Sequence, residues 1–241
     1  PRWLQCLYKA TRWLPFMVYY KDLREYIALL ESKGKLIHVK RSINKNTELM
    51  PLVRWQYRGL AEDQRKAFLF ENVHDGRGKV YDIPVGVGLI GASREVYSLA
   101  MKCEPSEVFK RWDQALMNPI PPKIVGWGPV KEEVHKGGSL LEHGGLDEFP
   151  IPVSTPGYDP APYITSPYWI TKDPETGVRN VGMYRAMVKG PLKTGINFAS
   201  PAQHGSIHLR KAKEKGKNLE AALVIGALPT VGMTAPVKYT Y

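Results

Sequence analysis

Five polar residues in the second half of this 241-residue chain have types and spacings suited to binding an anion or a metal: Thr165, Asn180, Arg185, Gln203 and His204. Arg185 lies among Met183, Tyr184, Ala186, Met187 and Val188, so a permanently charged guanidinium sits in a segment that otherwise reads as buried. Such an arginine requires a partner. It is either an internal salt bridge or a snorkelling edge residue, or it receives an anionic ligand. Asn180, Thr165 and the Gln203-His204 pair favour the ligand. The five-residue offset between Asn180 and Arg185 puts them on opposite faces of a regular strand. A common site therefore needs a bulge, expected at Gly182, or a ligand that wraps the strand end. His204 and His208 have the i, i+4 spacing by which one helix face offers two imidazoles to a metal, but Gly205, Ser206 and Ile207 between them exclude an HExxH motif. His204, at the helix start, is the ligand candidate and His208 a helix-face residue. His135 and His143 fall in a Gly-rich polar loop and read as surface residues.

The elements that must position these groups follow from local pattern. Residues 163–171 and 178–188 are rich in aromatic and β-branched side chains, and Asp173-Pro174-Glu175-Thr176-Gly177 between them reverses a chain, which predicts a β-hairpin. A helix is expected over 205–215 and a strand over 221–225. Earlier, Asp22 with Glu25 three residues on, then Leu23, Ile27 and Leu30, predicts a capped helix ending at Gly34. Strands at 36–39, 67–70 and 81–89 (interrupted by Pro84) alternate with helices at 46–60, 93–101 and 105–117. Without a clean βαβ rhythm this is an α+β or three-layer domain. Gly86-Val87-Gly88-Leu89-Ile90-Gly91 gives GxGxxG before a helix, yet no suitably placed acid follows the next strand, so the motif reads as packing glycines rather than a dinucleotide loop. The composition shifts at Asn118-Pro119-Ile120-Pro121-Pro122, which forbids helix. The expected organisation is an extension over 1–16, a first domain over 17–118 and a second, mainly β, over 119–241.

Composition bounds the function. With 43% hydrophobic and 10% aromatic residues the chain can bury a core. No apolar run is long enough to span a membrane. Cys6 and Cys103 stand apart with no CxxC partner, which fits a reducing compartment, and cytoplasm is the expected location. The net charge of +11 (34 basic, 23 acidic) suits phosphate groups. It is partly local, and no interleaved aromatic and basic strand motif accompanies it, so no nucleic-acid partner is expected.

The run Asn180-Val181-Gly182-Met183-Tyr184-Arg185, with Tyr163-Ile164-Thr165 and Asp173-Pro174-Glu175-Thr176-Gly177 before it and Gln203-His204 after it, resembles the UbiD-like family of prenylated-flavin-dependent decarboxylases. The resemblance runs from about Tyr20 to Tyr241. It implies an α+β fold in which an N-terminal α/β domain precedes a split β-barrel flavin-binding domain, here partial. It implies prenylated FMN, a divalent metal, usually Mn2+, and K+ as cofactors, with a flavin prenyltransferase as the cofactor's source. By the same resemblance Asn180 and His204 are metal ligands near the flavin phosphate, and Thr165, Met183, Arg185 and Gln203 line the cofactor. Arg185 is also the catalytic arginine that orients a substrate carboxylate by two-point, charge-assisted hydrogen bonds. The implied reaction is reversible, non-oxidative decarboxylation of an aromatic or α,β-unsaturated carboxylic acid, and the implied full-length protein is a homo-oligomer. Two departures stand out. The family's network glutamates and acidic metal ligand lie beyond the point matching Tyr241, and Leu228-Pro229 replaces a usual Asp-Pro. The chain is thus expected to be a fragment, or a flavin-binding or assembly subunit whose site another polypeptide completes, and to be inactive by itself.

Overall fold

The computed structural model of the chain describes residues 19–237; the extension expected over 1–16 lies outside them. In order, the first part comprises α1 (Leu23–Ser32), β1 (Leu36–Val39), β2 (Ile43–Asn44), α2 (Leu49–Gly59), β3 (Ala67–Phe70), β4 (Val73–His74), β5 (Val80–Tyr81), β6 (Val85–Val87), α3 (Arg94–Ala100) and α4 (Val108–Met117). The second comprises α5 (Ser139–Glu142), β7 (Tyr163–Ile164), β8 (Tyr168–Lys172), β9 (Arg179–Met183), β10 (Ala186–Gly190), β11 (Lys193–Ile196), α6 (His204–Glu214), β12 (Ala221–Val224) and α7 (Pro229–Thr234). The result is a mixed α/β fold with four three-stranded sheets among the described residues. No helix among them is long and apolar enough to cross a membrane.

The cap expected at α1 is present in a shifted form: the Asp22 carboxylate accepts from the Glu25 amide at 2.9 Å, and Glu25 accepts from the amide of Lys21, one residue before the N-cap, at 2.6 Å. Tyr26 and Leu30, four residues apart, form the buried face of this helix. β1 and β3 pair in parallel and β6 runs antiparallel to β3. Strand alternation sends Ala67 and Leu69 to one face, against α1 and α3, and Phe68 and Phe70 to the other, against Leu49 and Val53 of α2. Three layers follow from that alternation. The expected strand over 81–89 is two strands, β5 and β6, in different sheets, because Pro84 removes a ladder donor between them.

The GxGxxG segment has a packing role. Ser93 caps α3 by accepting from the Val96 amide at 3.2 Å, and Gly88 has φ +73° with Tyr57 and Ala92 against it, so the helix start is already satisfied.

Two features of the second part differ from the sequence expectation. The hairpin does not run unbroken over 163–188: β8 pairs with β9 and β12 in one sheet, whereas β10 pairs with β7 and β11 in another. A helix, α7, also follows β12, started by Pro229 at its first turn, where a fixed φ and a missing N–H cost nothing. Met233 of α7 enters the core formed by α1 and α3. The second part is tied to the first by Lys45, buried, which donates to the Ile151 carbonyl at 2.9 Å, and by Arg54, which donates to Thr155 Oγ1 at 2.9 Å.

Candidate functional site

The turn that closes the β8–β9 hairpin is built by Asp173. Its Oδ1 accepts from the amides of Glu175 and Thr176 at 2.8 and 3.3 Å, and Gly177 adopts φ +74°. The other oxygen, Oδ2, takes Lys211 Nζ of α6 at 2.8 Å, and Lys211 also reaches Glu175 at 2.9 Å. Lys211 holds the Asp173 carboxyl down at about 2, and the carboxylate in turn raises the lysine. His208, one turn earlier on α6, is buried and shares a 2.8 Å hydrogen bond with Thr171 Oγ1; burial lowers its pKa despite Asp173 at 4.0 Å. These contacts lock α6 across the hairpin.

The N-terminus of α6 is set by Tyr184. Its hydroxyl accepts from the Gly205 amide at 3.1 Å, its carbonyl accepts from Trp169 Nε1 at 2.8 Å, and its ring meets Phe198 edge to face. The ring is seated between two glycines: a Cβ at Gly182 would fall 2.4 Å from the Tyr184 oxygen, and one at Gly205 would fall 2.8 Å from its ring. Gly182 is therefore not a bulge. It pairs with Trp169 in regular register, and the irregularity sits three residues on. There Thr165, Ser166 and Pro167 face only Tyr184 and Arg185 between the flanking pairs Ile164↔Ala186 and Tyr168↔Met183. Pro167, with no N–H to give the ladder, accounts for a break at this point.

The structure sorts the predicted residues into two groups. Asn180 and His204 come together, with Asn180 Oδ1 2.8 Å from His204 Nδ1, both half-buried. Gln203 is the N-cap residue of α6, and its side chain accepts from the Ser200 amide at 3.4 Å rather than from the helix, whose first turn is capped instead by Tyr184 at the Gly205 amide. Thr165, Met183 and Arg185 form the second group, at the break where β9 gives way to β10. Three residues of extended strand in regular register separate Asn180 from Met183 and put them on opposite faces, so a ligand reaching both groups has to wrap the strand end over roughly 10 Å. Arg185 corrects one expectation: it is exposed, not buried, and its guanidinium lies 4.9 Å from the centroid of the Tyr163 ring. Arg185 lies opposite Tyr184 and Ala186, which are both buried, as strand alternation dictates.

Tyr184 and its two glycines escaped the sequence reading. A tyrosine beside a charged residue carries no local mark of the helix that will dock on it, and Gly182 read equally well as a bulge. The Asp173 to Lys211 pair is separated by 38 residues and likewise has no local signature.

An amide oxygen and an imidazole nitrogen 2.8 Å apart suit neighbouring ligands of a small divalent cation, since metal–ligand bonds of about 2.1 Å at right angles put such atoms roughly 3 Å apart. The start of α6 beside them, where Tyr184 takes the Gly205 amide, brings the positive end of a helix dipole to a phosphate. The residues present thus fit a divalent metal and a phosphate-bearing cofactor together.

Residues 123–241 match the 3-octaprenyl-4-hydroxybenzoate carboxy-lyase Rift-related domain, UbiD, and residues 27–116 match the N-terminal domain of the same carboxy-lyase. Among solved structures, vanillic acid decarboxylase of Sedimentibacter hydroxybenzoicus in its closed form superposes with a TM-score of 0.77 at 29% identity, over 91% of this chain and 45% of that one. The UbiD-class enzyme HmfF of Pelotomaculum thermopropionicum, in complex with FMN, superposes with a TM-score of 0.72 at 34% identity, over 86% of this chain and 43% of that one. A phenolic acid decarboxylase of Bacillus subtilis is 29% identical over 234 residues, covering 92% of this chain and 46% of the relative. The chain spans less than half the length of these proteins. With both of its segments matched and its fold shared with solved UbiD-class enzymes, the chain belongs to the UbiD family of carboxy-lyases.

Proposed function

We propose that this chain provides the N-terminal and cofactor-binding portion of a carboxy-lyase that reversibly and non-oxidatively decarboxylates an aromatic or α,β-unsaturated carboxylic acid, with prenylated FMN as cofactor and Mn2+ and K+ at its phosphate. The observation that carries the reading is the 2.8 Å Asn180–His204 pair at the start of α6, one strand's length from Arg185. In this reading the first domain ends near residue 118 and the partial split barrel follows.

Asn180 Oδ1 and the His204 imidazole would hold the divalent ion, and the start of α6 would face the cofactor's phosphate. Thr165, Met183 and Gln203 line the bound cofactor. When bound, prenylated FMN supplies the electron sink for loss of CO2. Arg185, whose guanidinium lies 4.9 Å from the centroid of the Tyr163 ring, would grip the substrate carboxylate through its planar fork. A proton must then be delivered to the product carbon by a positioned acid. Among the described residues the acids nearest Arg185 in sequence, Asp173 and Glu175, are both paired with Lys211, and neither lies at the Arg185 break. That observation favours a second reading, in which the chain is a flavin-binding or assembly subunit and the acid comes from another polypeptide.

One experiment separates the two readings. The purified chain is loaded anaerobically with prenylated FMN and Mn2+ and assayed for CO2 release and carboxylate–solvent deuterium exchange on phenolic, heteroaromatic and acrylic acids. Turnover supports the carboxy-lyase in this chain, and flavin binding without turnover supports the subunit. No flavin binding at all overturns both.

A further inference from the structure

We propose that His135, His143 and Glu148 form a second divalent-cation site, suited to zinc and separate from the Asn180–His204 pair. Among the described residues, these three bring one ligand atom each within 4.8 Å of one another. The two imidazole rings stack with centroids 3.8 Å apart and planes 35° apart.

The backbone explains the convergence. Gly137, Gly144 and Gly145 have φ of +56°, +81° and +57°, left-handed conformations that fold the 135–148 segment back on itself. Gly145 lies so close to the Pro191 carbonyl that a Cβ there would fall 2.3 Å from its oxygen, and the Leu146 amide donates to that oxygen at 2.7 Å. The turn carrying Glu148 is thus fixed to the β10–β11 connection. His135 arrives from the loop after the Pro129–Lys131 turn, and His143 ends α5.

The segment needs a cross-link. No residue from 129 to 149 is buried, and Val130 and Leu141 are 88% and 59% exposed, so no apolar core holds these short turns together. A metal bridging three of them supplies that constraint. Two imidazoles and one carboxylate, with a fourth position for water, are a zinc donor set rather than one for Mg2+ or Ca2+, which take oxygen ligands. Zinc–ligand bonds of about 2.0–2.2 Å put ligand atoms roughly 3.3 Å apart, a contraction that rotation of these partly exposed side chains achieves.

The test is a Co2+ titration of the full chain read by visible absorption, with Zn2+ as competitor. Tetrahedral Co2+ absorbs strongly in the visible, whereas Co2+ held octahedrally absorbs weakly. We expect intense bands displaced by one equivalent of Zn2+, lost in His135→Ala and His143→Ala, weakened at least about tenfold in affinity in Glu148→Gln, and retained in the Asn180→Ala, His204→Ala double variant. Circular dichroism checks that each variant folds. Absence of the bands in the wild-type chain, their persistence in the three variants, or their loss in the Asn180→Ala, His204→Ala variant would overturn the assignment and leave a stacked histidine pair.

Discussion

Replacing Gly182 by alanine would drive a methyl group to 2.4 Å from the Tyr184 hydroxyl oxygen and 2.5 Å from Cζ, closer than unbonded carbons approach. The ring cannot yield toward α6, because Gly205 and Phe198 close that side, and its own carbonyl is tied to Trp169. Overpacking of this kind costs about 1–3 kcal/mol. If the hydroxyl leaves the Gly205 amide, a buried N–H loses its acceptor at a further cost of about 1–3 kcal/mol. The expected destabilisation is about 2–4 kcal/mol, the opposite of what a strand glycine to alanine change gives where space is free. Urea denaturation of Gly182→Ala, Tyr184→Ala and the double variant measures it. Tyr184→Ala alone should cost about 3–5 kcal/mol, and the double variant should be close to it, because the methyl group then has nothing to strike. A Gly182→Ala protein within about 0.5 kcal/mol of wild type, or a double variant equal to the sum of the singles, would refute the claim that Tyr184 couples β9 to the helix start.

His204→Ala should lower bound metal and bound flavin together. His208→Ala, which removes Thr171's buried partner, should instead cost about 1–3 kcal/mol of stability while metal per folded chain is unchanged; equal metal loss in both would contradict this. The Asp173 carboxyl, held at about 2 in the folded chain and near its ordinary value when unfolded, contributes stability that is complete above about pH 4 and is lost as pH falls toward 2. Asp173→Asn should flatten that part of the pH–stability curve, and an unchanged acid limb would show that the Lys211 pair does not set it. Burial lowers His208, so the unfolded chain takes up its proton first and stability falls as pH drops below about 6.5, a slope absent in His208→Ala. In a full-length version of the enzyme, Arg185→Lys should abolish most turnover and shift stability by no more than about 0.5 kcal/mol, since the side chain is exposed; wild-type-like turnover would reduce Arg185 to a surface residue on Tyr163.

Elements with local signals were legible in the sequence. Asp22 and Glu25 announce α1, the Asp173 to Gly177 turn announces the β8–β9 hairpin, and the residues after Gln203 announce α6. The pairing of Asn180 with His204 could be suspected from residue type but not measured, since it depends on how α6 crosses β9. The break at Tyr184 and Arg185 was not legible. Alternation along 178–188 runs smoothly through it, and only the register of two separate sheets shows that three residues face two. Arg185 read as buried because its neighbours are apolar, although the same alternation sets it opposite the buried Tyr184 and Ala186. α7 was missed because its six residues give too little periodicity, and its anchor, Met233 in the core of the first part, is a long-range contact.

The account rests on Asn180 and His204 holding the metal that bridges a flavin phosphate at the start of α6. The most direct test is flavin affinity as a function of Mn2+, measured by flavin absorbance together with electron paramagnetic resonance of the ion, for the wild-type chain and for Asn180→Ala and His204→Ala. The account predicts metal-dependent flavin binding in the wild-type chain that both substitutions weaken by at least about tenfold, with the ion and the flavin lost together. Flavin binding that is indifferent to Mn2+, or unchanged by either substitution, would contradict it.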